Sequence, residues 1–159
     1  MKRLLALLLI LIAASACAEG TYDEIDMSMT FDELSQKYTS MTREEEYWCV
    51  DDALLVFYES GKLNAKCLNF DTLAAAAPEA NAEFEKVLSF KQGTSISELT
   101  DILGEGREIV FINISDEENS GKMKVECWKN GSGQVLEALF ELDDNVWSLF
   151  ALTVIDLEA

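Results

Sequence analysis

"MSMTFDEL", residues 27–34, and "QGTSISEL", residues 92–99, share one feature: a hydroxyl residue, two spacers, then Glu-Leu. Thr30 with Glu33, and Ser95 with Glu98, match the capping box. There the hydroxyl accepts the backbone N–H three residues on, and the glutamate reaches back to the cap. Apolar residues then recur at helical spacing: Phe31, Leu34 and Tyr38 in the first, Ile96, Leu99, Ile102 and Leu103 in the second. Gly104 stands where a helix C-cap belongs. The spacing predicts two short helices that open at Thr30 and Ser95.

Strand signals follow each helix. "EYWCV" (46–50), "ALLVFY" (53–58) and "KLNAKCLNF" (62–70) are separated by Asp-Asp and Ser-Gly turns and read as an antiparallel meander. In the second half, 107–115, 122–129, 134–142 and 146–155 read as strands. "NGSG" (130–133) is a strong turn signal, and a hairpin is expected around Asp143-Asp144-Asn145. Trp48 then falls against Trp128, Phe57 against Phe140, and Leu63 against Val146. A capped helix followed by aromatic and apolar strands recurs in one order, as it would if one unit were written twice. The fold class expected is therefore α+β, two tandem repeats, each a helical layer packed on an antiparallel β-sheet meander. The repeats span 19–70 and 85–159. "DTLAAAAPEANAEF" (71–84), which holds the only proline, Pro78, reads as a linker with helical tendency.

These motifs resemble the repeat of the β-lactamase inhibitor protein fold, shared with SmpA/OmlA-type small envelope lipoproteins. "SMTFDEL" and "GTSISELTDILG" carry the helix signature, and "YWCV", "ECW" and "VLEALFELDDNVWSL" carry the sheet. The first half departs from the pattern: Ser28 stands where glycine is usual, and no Leu-Gly closes its helix. The resemblance implies a non-catalytic protein. In the inhibitor a concave sheet face grips a protein partner; in the lipoproteins a single unit serves envelope assembly.

The N-terminus reads as a signal peptide, residues 1–18. Lys2 and Arg3 precede an apolar run over 4–14 and a group of small residues. Two processing routes fit. Ala16-Cys17-Ala18 suits release as a secreted protein, and Ala14-Ser15-Ala16-Cys17 resembles a lipobox that would lipidate Cys17 and tether the chain to a membrane. Either way the expected location is extracytoplasmic.

The formal net charge is −18, from 12 basic and 30 acidic residues. A nucleic-acid partner is excluded by sign, and a protein partner with a basic surface is favoured. With no histidine, Ser-His-Asp and Cys-His machinery and His-ligated metals are ruled out. Cys49, Cys67 and Cys127 lack C-x-x-C spacing and read as core filler. In a meander, Cys49 and Cys67 are expected on strands separated by a third, roughly 10 Å apart and too far for a disulfide. The acidic run 116–118 lacks calcium-loop spacing. No cofactor, metal or catalytic set is expected.

Strand alternation suggests the binding face. Leu55, Phe57, Leu63, Ala65 and Cys67, with Ala138, Phe140, Val146, Ser148 and Phe150, are assigned to the helix-covered side. The open side then shows Val56, Tyr58, Asn64 and Lys66, with Glu137, Leu139, Glu141, Trp147 and Leu149, a mixture that suits protein recognition. The competing reading is that Trp147 and Leu149 are covered by the linker or the other half. The function expected is an exported binding protein, β-lactamase-inhibitor-like; the alternative is a structural or assembly lipoprotein of the cell envelope.

Overall fold

Alternating apolar and polar residues outweigh helical periodicity along most of this chain, and strands dominate the architecture. The structure is a computed structural model that describes residues 21–44, 46–69, 73, 75–115 and 120–156. The expected signal segment 1–18 with Cys17, and the acidic run 116–118, lie outside the described residues. The chain divides after Leu73 into two compact units.

The first unit runs from a 3-10 turn (Tyr22–Glu24) to helix α1 (Phe31–Lys37) and strands β1 (Thr42–Glu44), β2 (Tyr47–Val50), β3 (Ala53–Phe57) and β4 (Leu63–Leu68). Each strand pairs antiparallel with the one before it. The Thr30 capping box forms: Glu33 Oε2 accepts the Thr30 N–H at 2.8 Å. Two buried polar side chains fix the N-terminal stretch on the sheet. Asp52 Oδ1 accepts the N–H groups of Thr21 and Tyr22 at 2.8 and 2.9 Å. Lys66 Nζ donates to the carbonyls of Tyr22 and Ile25 at 3.3 and 3.1 Å and lies 4.3 Å from the Tyr22 ring centroid. Tyr22, Ile25, Leu34 and Leu55 are buried beside them.

The second unit repeats this element order with longer strands. A 3-10 turn (Phe84–Lys86) and helix α2 (Ile96–Leu103) precede β5 (Arg107–Ser115), β6 (Ser120–Lys129), β7 (Gln134–Asp143) and β8 (Val146–Asp156). These strands are nine to eleven residues long, against three to six in the first unit. Leu99 and Leu103 of α2 close over Trp128, Leu136, Ala138, Phe140 and Leu149, with Phe84 and Val87 completing the core. Two glycines make this packing fit. Gly104 caps α2 at φ +84, and its carbonyl accepts Trp128 Nε1 at 2.9 Å. At Gly106 a Cβ would stand 2.5 Å from the Trp128 ring, so only glycine fits.

The expected α+β class is overturned. Among the described residues, α1 and α2 have only seven and eight residues, and Leu73, Ala75 and Ala76 are the other α-helical positions; these do not make a helical layer on each unit. The fold leans to all-β, with antiparallel strands ordered as in the chain. The physical reason is length. Two helical turns cover about 11–12 Å, so they shield only part of a sheet, and loops close the remainder. The stretch read as a linker shows this. Ala80 N–H donates to the Lys129 carbonyl and Lys129 N–H to the Pro78 carbonyl, both at 2.8 Å, and Asn81 N–H donates to Leu103. Pro78–Asn81 is thus hydrogen-bonded into the second unit.

Candidate functional site

The N-terminus of α1 is held over the β3–β4 turn. Phe31 N–H donates to the Gly61 carbonyl at 2.8 Å, and Thr30 bridges Lys62. The turn itself is closed by Tyr58 N–H to Lys62 O, and Gly61 takes φ +79, a left-handed conformation suited to glycine. This anchoring sets the Phe31 ring against two strand side chains. Its centroid lies 4.8 Å from Trp48 in a tilted contact and 5.4 Å from Phe57, edge to face. Such offset geometries are favoured over parallel sandwiches. The Arg43 guanidinium lies 6.0 Å from the Trp48 centroid.

These rings form one wall of an open cleft of about 560 Å³, completed by Thr30, Asp32, Tyr58, Glu59, Ser60 and Gly61. Phe31, Trp48, Phe57 and Tyr58 are half-buried, while Asp32, Arg43 and Glu59 are exposed. The cleft therefore offers aromatic surface with both signs of charge at its rim. Close by, the Thr30 backbone N–H and hydroxyl hold the Glu33 carboxyl below its ordinary range, so the helix start keeps a carboxylate at neutral pH.

The residues proposed from strand alternation do not form one face. Tyr58 lines the cleft. Val56, Glu137, Leu139 and Glu141 lie on the sheet faces turned away from the helices; burial pushes the Glu137 carboxyl up. Lys66, Trp147 and Leu149 lie on the helix side instead, and this corrects their assignment. In the first unit an extra residue, Asn64, is accommodated where Phe57 pairs with Leu63 and Val56 with Ala65, so every later side chain of β4 changes face. Lys66 thereby turns inward and is buried, and Ala65 and Cys67 turn away from α1. In the second unit the hairpin loop has two residues, Asp144 and Asn145, both at positive φ, where the sequence reading allowed three. That one-residue difference flips β8. Leu149 meets Phe140 and is buried, Ser148 faces away from the helix, and Phe150 sits in a bulge at 43% exposure. Trp147 packs edge to face on Phe111 at 5.9 Å. Lys124 Nζ stands 5.0 Å from the Trp147 ring and 2.6 Å from Glu126 Oε1.

The cysteine geometry follows the strand order expected for it. Cys49 and Cys67 pair with Leu54 from opposite sides. Cys127 is fully buried, and burial, with Glu137 adding to it, pushes its thiol up to about 12. Among the described residues no group of three or more acidic or cysteine side chains is placed to hold a metal, and no helix is long and apolar enough to cross a membrane.

Sequence reasoning missed Phe31, Arg43, Trp48 and Phe57 as site residues. By sequence Phe31 reads as part of a helical apolar stripe, Phe57 as a helix-covered strand residue and Trp48 as the counterpart of Trp128 in the repeat. The available signal was the arginine five residues before a tryptophan on a short hairpin, which places both on neighbouring strands. Compared with known protein families and with curated proteins, the chain matches none.

Proposed function

We propose that this chain is an exported binding protein that recognises a protein partner through the aromatic cleft of its first unit. The observation that carries the reading is the trio Phe31, Trp48 and Phe57. Phe31 meets Trp48 in a tilted contact and Phe57 edge to face, and all three rings line a cleft and stay half-buried. Aromatic residues and arginine dominate the energetics of protein recognition because they bury much apolar area at low entropic cost. Asp32 and Glu59 at the rim, and a net charge of −18, favour a partner segment that brings basic residues beside an apolar side chain. Export rests on the signal-like residues 1–18. Mass spectrometry of the mature N-terminus would distinguish a plain start at Glu19 from a diacylated Cys17. A β-lactamase is the partner class that the sequence resemblance implies, and inhibition assays with class A enzymes address it directly.

The cleft is tested with a panel of extended peptides of graded net charge, titrated while tryptophan fluorescence is followed. Peptides that pair a basic and an aromatic residue are expected to bind saturably. Arg43→Ala with Tyr58→Ala should lose that binding while keeping the far-ultraviolet circular dichroism of the parent. Equal binding by the double variant would place recognition elsewhere.

A further inference from the structure

The charges around the aromatic cleft are sorted by end. Arg43 stands on β1 opposite Trp48 of β2, and Trp48 stands opposite Leu55 of β3. Phe57 lies two residues further along β3, and Phe31 touches both Trp48 and Phe57. The lining therefore runs from Arg43 past Trp48, Phe31 and Phe57 to the turn that carries Glu59. Phe31 N–H donates to the Gly61 carbonyl, which sets the start of α1, with Asp32, at that turn. One end of the cleft is cationic and the other anionic, with three rings between. Strands lie about 4.8 Å apart and rise about 3.3 Å per residue, so two strands across and two residues along put the Arg43 and Phe57 backbones roughly 12 Å apart.

The two ends offer different chemistry. Glu33, the acid after Asp32, is engaged in the helix cap: its carboxylate accepts the Thr30 N–H and hydroxyl at 2.8 and 2.9 Å. The negative lining is left to Asp32 and Glu59, and both are exposed. Among the described residues that line the cleft, Arg43 is the one cation. Its guanidinium, 6.0 Å from the Trp48 centroid, is drawn to the negative face of the ring. A guanidinium presents its N–H donors as a planar fork that matches a carboxylate.

We infer, building on recognition through this cleft, that its occupant is an extended segment of the partner protein with an acidic, an apolar and a basic residue at positions i, i+2 and i+4. The acid meets Arg43, the apolar side chain lies on the rings, and the base meets Asp32 and Glu59. Alternate residues of an extended chain share one face, and i to i+4 spans about 13 Å, the separation of the two charged ends. The acid is the specific part of this pattern. In a chain of net charge −18, a purely basic segment is attracted to acidic surface in general, whereas a carboxylate is repelled everywhere except beside a cation such as Arg43.

The test is a set of tryptophan-free peptides titrated into the chain while its tryptophan fluorescence is followed. The parent peptide carries aspartate, phenylalanine and lysine at alternate positions. It should bind about two- to fivefold tighter than the form with asparagine for aspartate, the range expected of one exposed charge pair. In Arg43→Gln that ratio should fall to one. In Asp32→Asn with Glu59→Gln, the ratio between the lysine peptide and its glutamine form should fall to one. Arg43→Glu should reverse the first preference, so that lysine in place of the aspartate improves binding. Circular dichroism of each variant should match the parent chain. The inference is overturned if the parent chain binds the asparagine form equally well, if the aspartate preference survives in Arg43→Gln, if a peptide with the three residues adjacent binds as tightly, or if a helix-stabilised peptide outcompetes the extended one. In each of those cases saturable binding to the cleft still stands. Binding by none of the peptides overturns both the pattern and recognition through the cleft.

Discussion

Trp48 and Trp128 each stand on the second strand of their unit, near its helix, and their surroundings could hardly differ more. Trp128 is fully buried, its indole N–H is donated to the Gly104 carbonyl, and the absence of a Cβ at Gly106 makes room for the ring. Trp48 is half-buried, shares its faces with Phe31 and Arg43, and opens onto a cleft. The second unit closes its helix–sheet interface with long strands, Phe84 and Val87. The first unit, with strands of three to six residues, leaves rings at the surface. The contrast separates packing from recognition: the same residue type stabilises one unit and marks the candidate site of the other.

The largest expected effect tests that separation. Trp128→Ala should destabilise the chain by about 3–5 kcal/mol, the cost of emptying a large aromatic site in a closed core. Trp48→Ala should cost only about 1 kcal/mol, as for a half-exposed side chain, while abolishing the peptide response of the cleft. Urea unfolding followed by circular dichroism measures both. Similar losses for the two would erase the distinction between a closed and an open unit.

The two helix starts allow a finer comparison. Both capping boxes form, so Thr30→Ala and Ser95→Ala should each cost about 1 kcal/mol. Only Thr30→Ala should also weaken binding at the cleft, since Thr30 lines it and Ser95 does not. Parallel urea and peptide titrations give the answer; a binding loss from Ser95→Ala would point to a general effect of destabilisation.

The smallest effect is a pH dependence of opposite sign in the two units. Glu33 is held below its ordinary range by the Thr30 backbone and hydroxyl. Its contribution is present above the unfolded value of 4.5 and is lost as pH falls through the folded value. Glu137 is pushed above 4.5 by burial. It favours the folded state at low pH, and that advantage is lost as pH rises from the unfolded value through the folded one. Glu137→Gln should therefore stabilise the chain slightly at pH 7 and lose the benefit toward pH 4, while Glu33→Gln should destabilise it at pH 7. Stability of each variant against the parent across this range measures the signs; matching signs would show that burial does not govern Glu137.

Much of the local structure was legible because its causes are local. Thr30 with Glu33, Ser95 with Glu98, and Gly104 each determine a helix end through bonds spanning a few residues. The "NGSG" turn and most of the strands also appear where the residue pattern put them. The helical layer was not legible, because two capped helices say nothing of how much sheet they must cover. The binding face failed at two particular points. The extra residue Asn64 and the two-residue loop Asp144-Asn145 each shift a strand by one position, and in a structure with a side-chain period of two a single shift moves every later residue to the other face. Lys66, Trp147 and Leu149 moved for that reason alone. The cleft depends on Phe31, Trp48 and Phe57, which are far enough apart in the chain that no periodicity links them.

By itself the sequence determined the helix starts, the turns, the approximate strands, the excess negative charge and the exclusion of histidine-based chemistry, since these follow from composition and from interactions a few residues long. The tertiary structure alone decided the all-β-leaning architecture, which side of each sheet a residue occupies, and which tryptophan is closed off and which is open. Those outcomes depend on register, bulges and long-range packing, in which residues distant along the chain are brought within a few ångströms of one another.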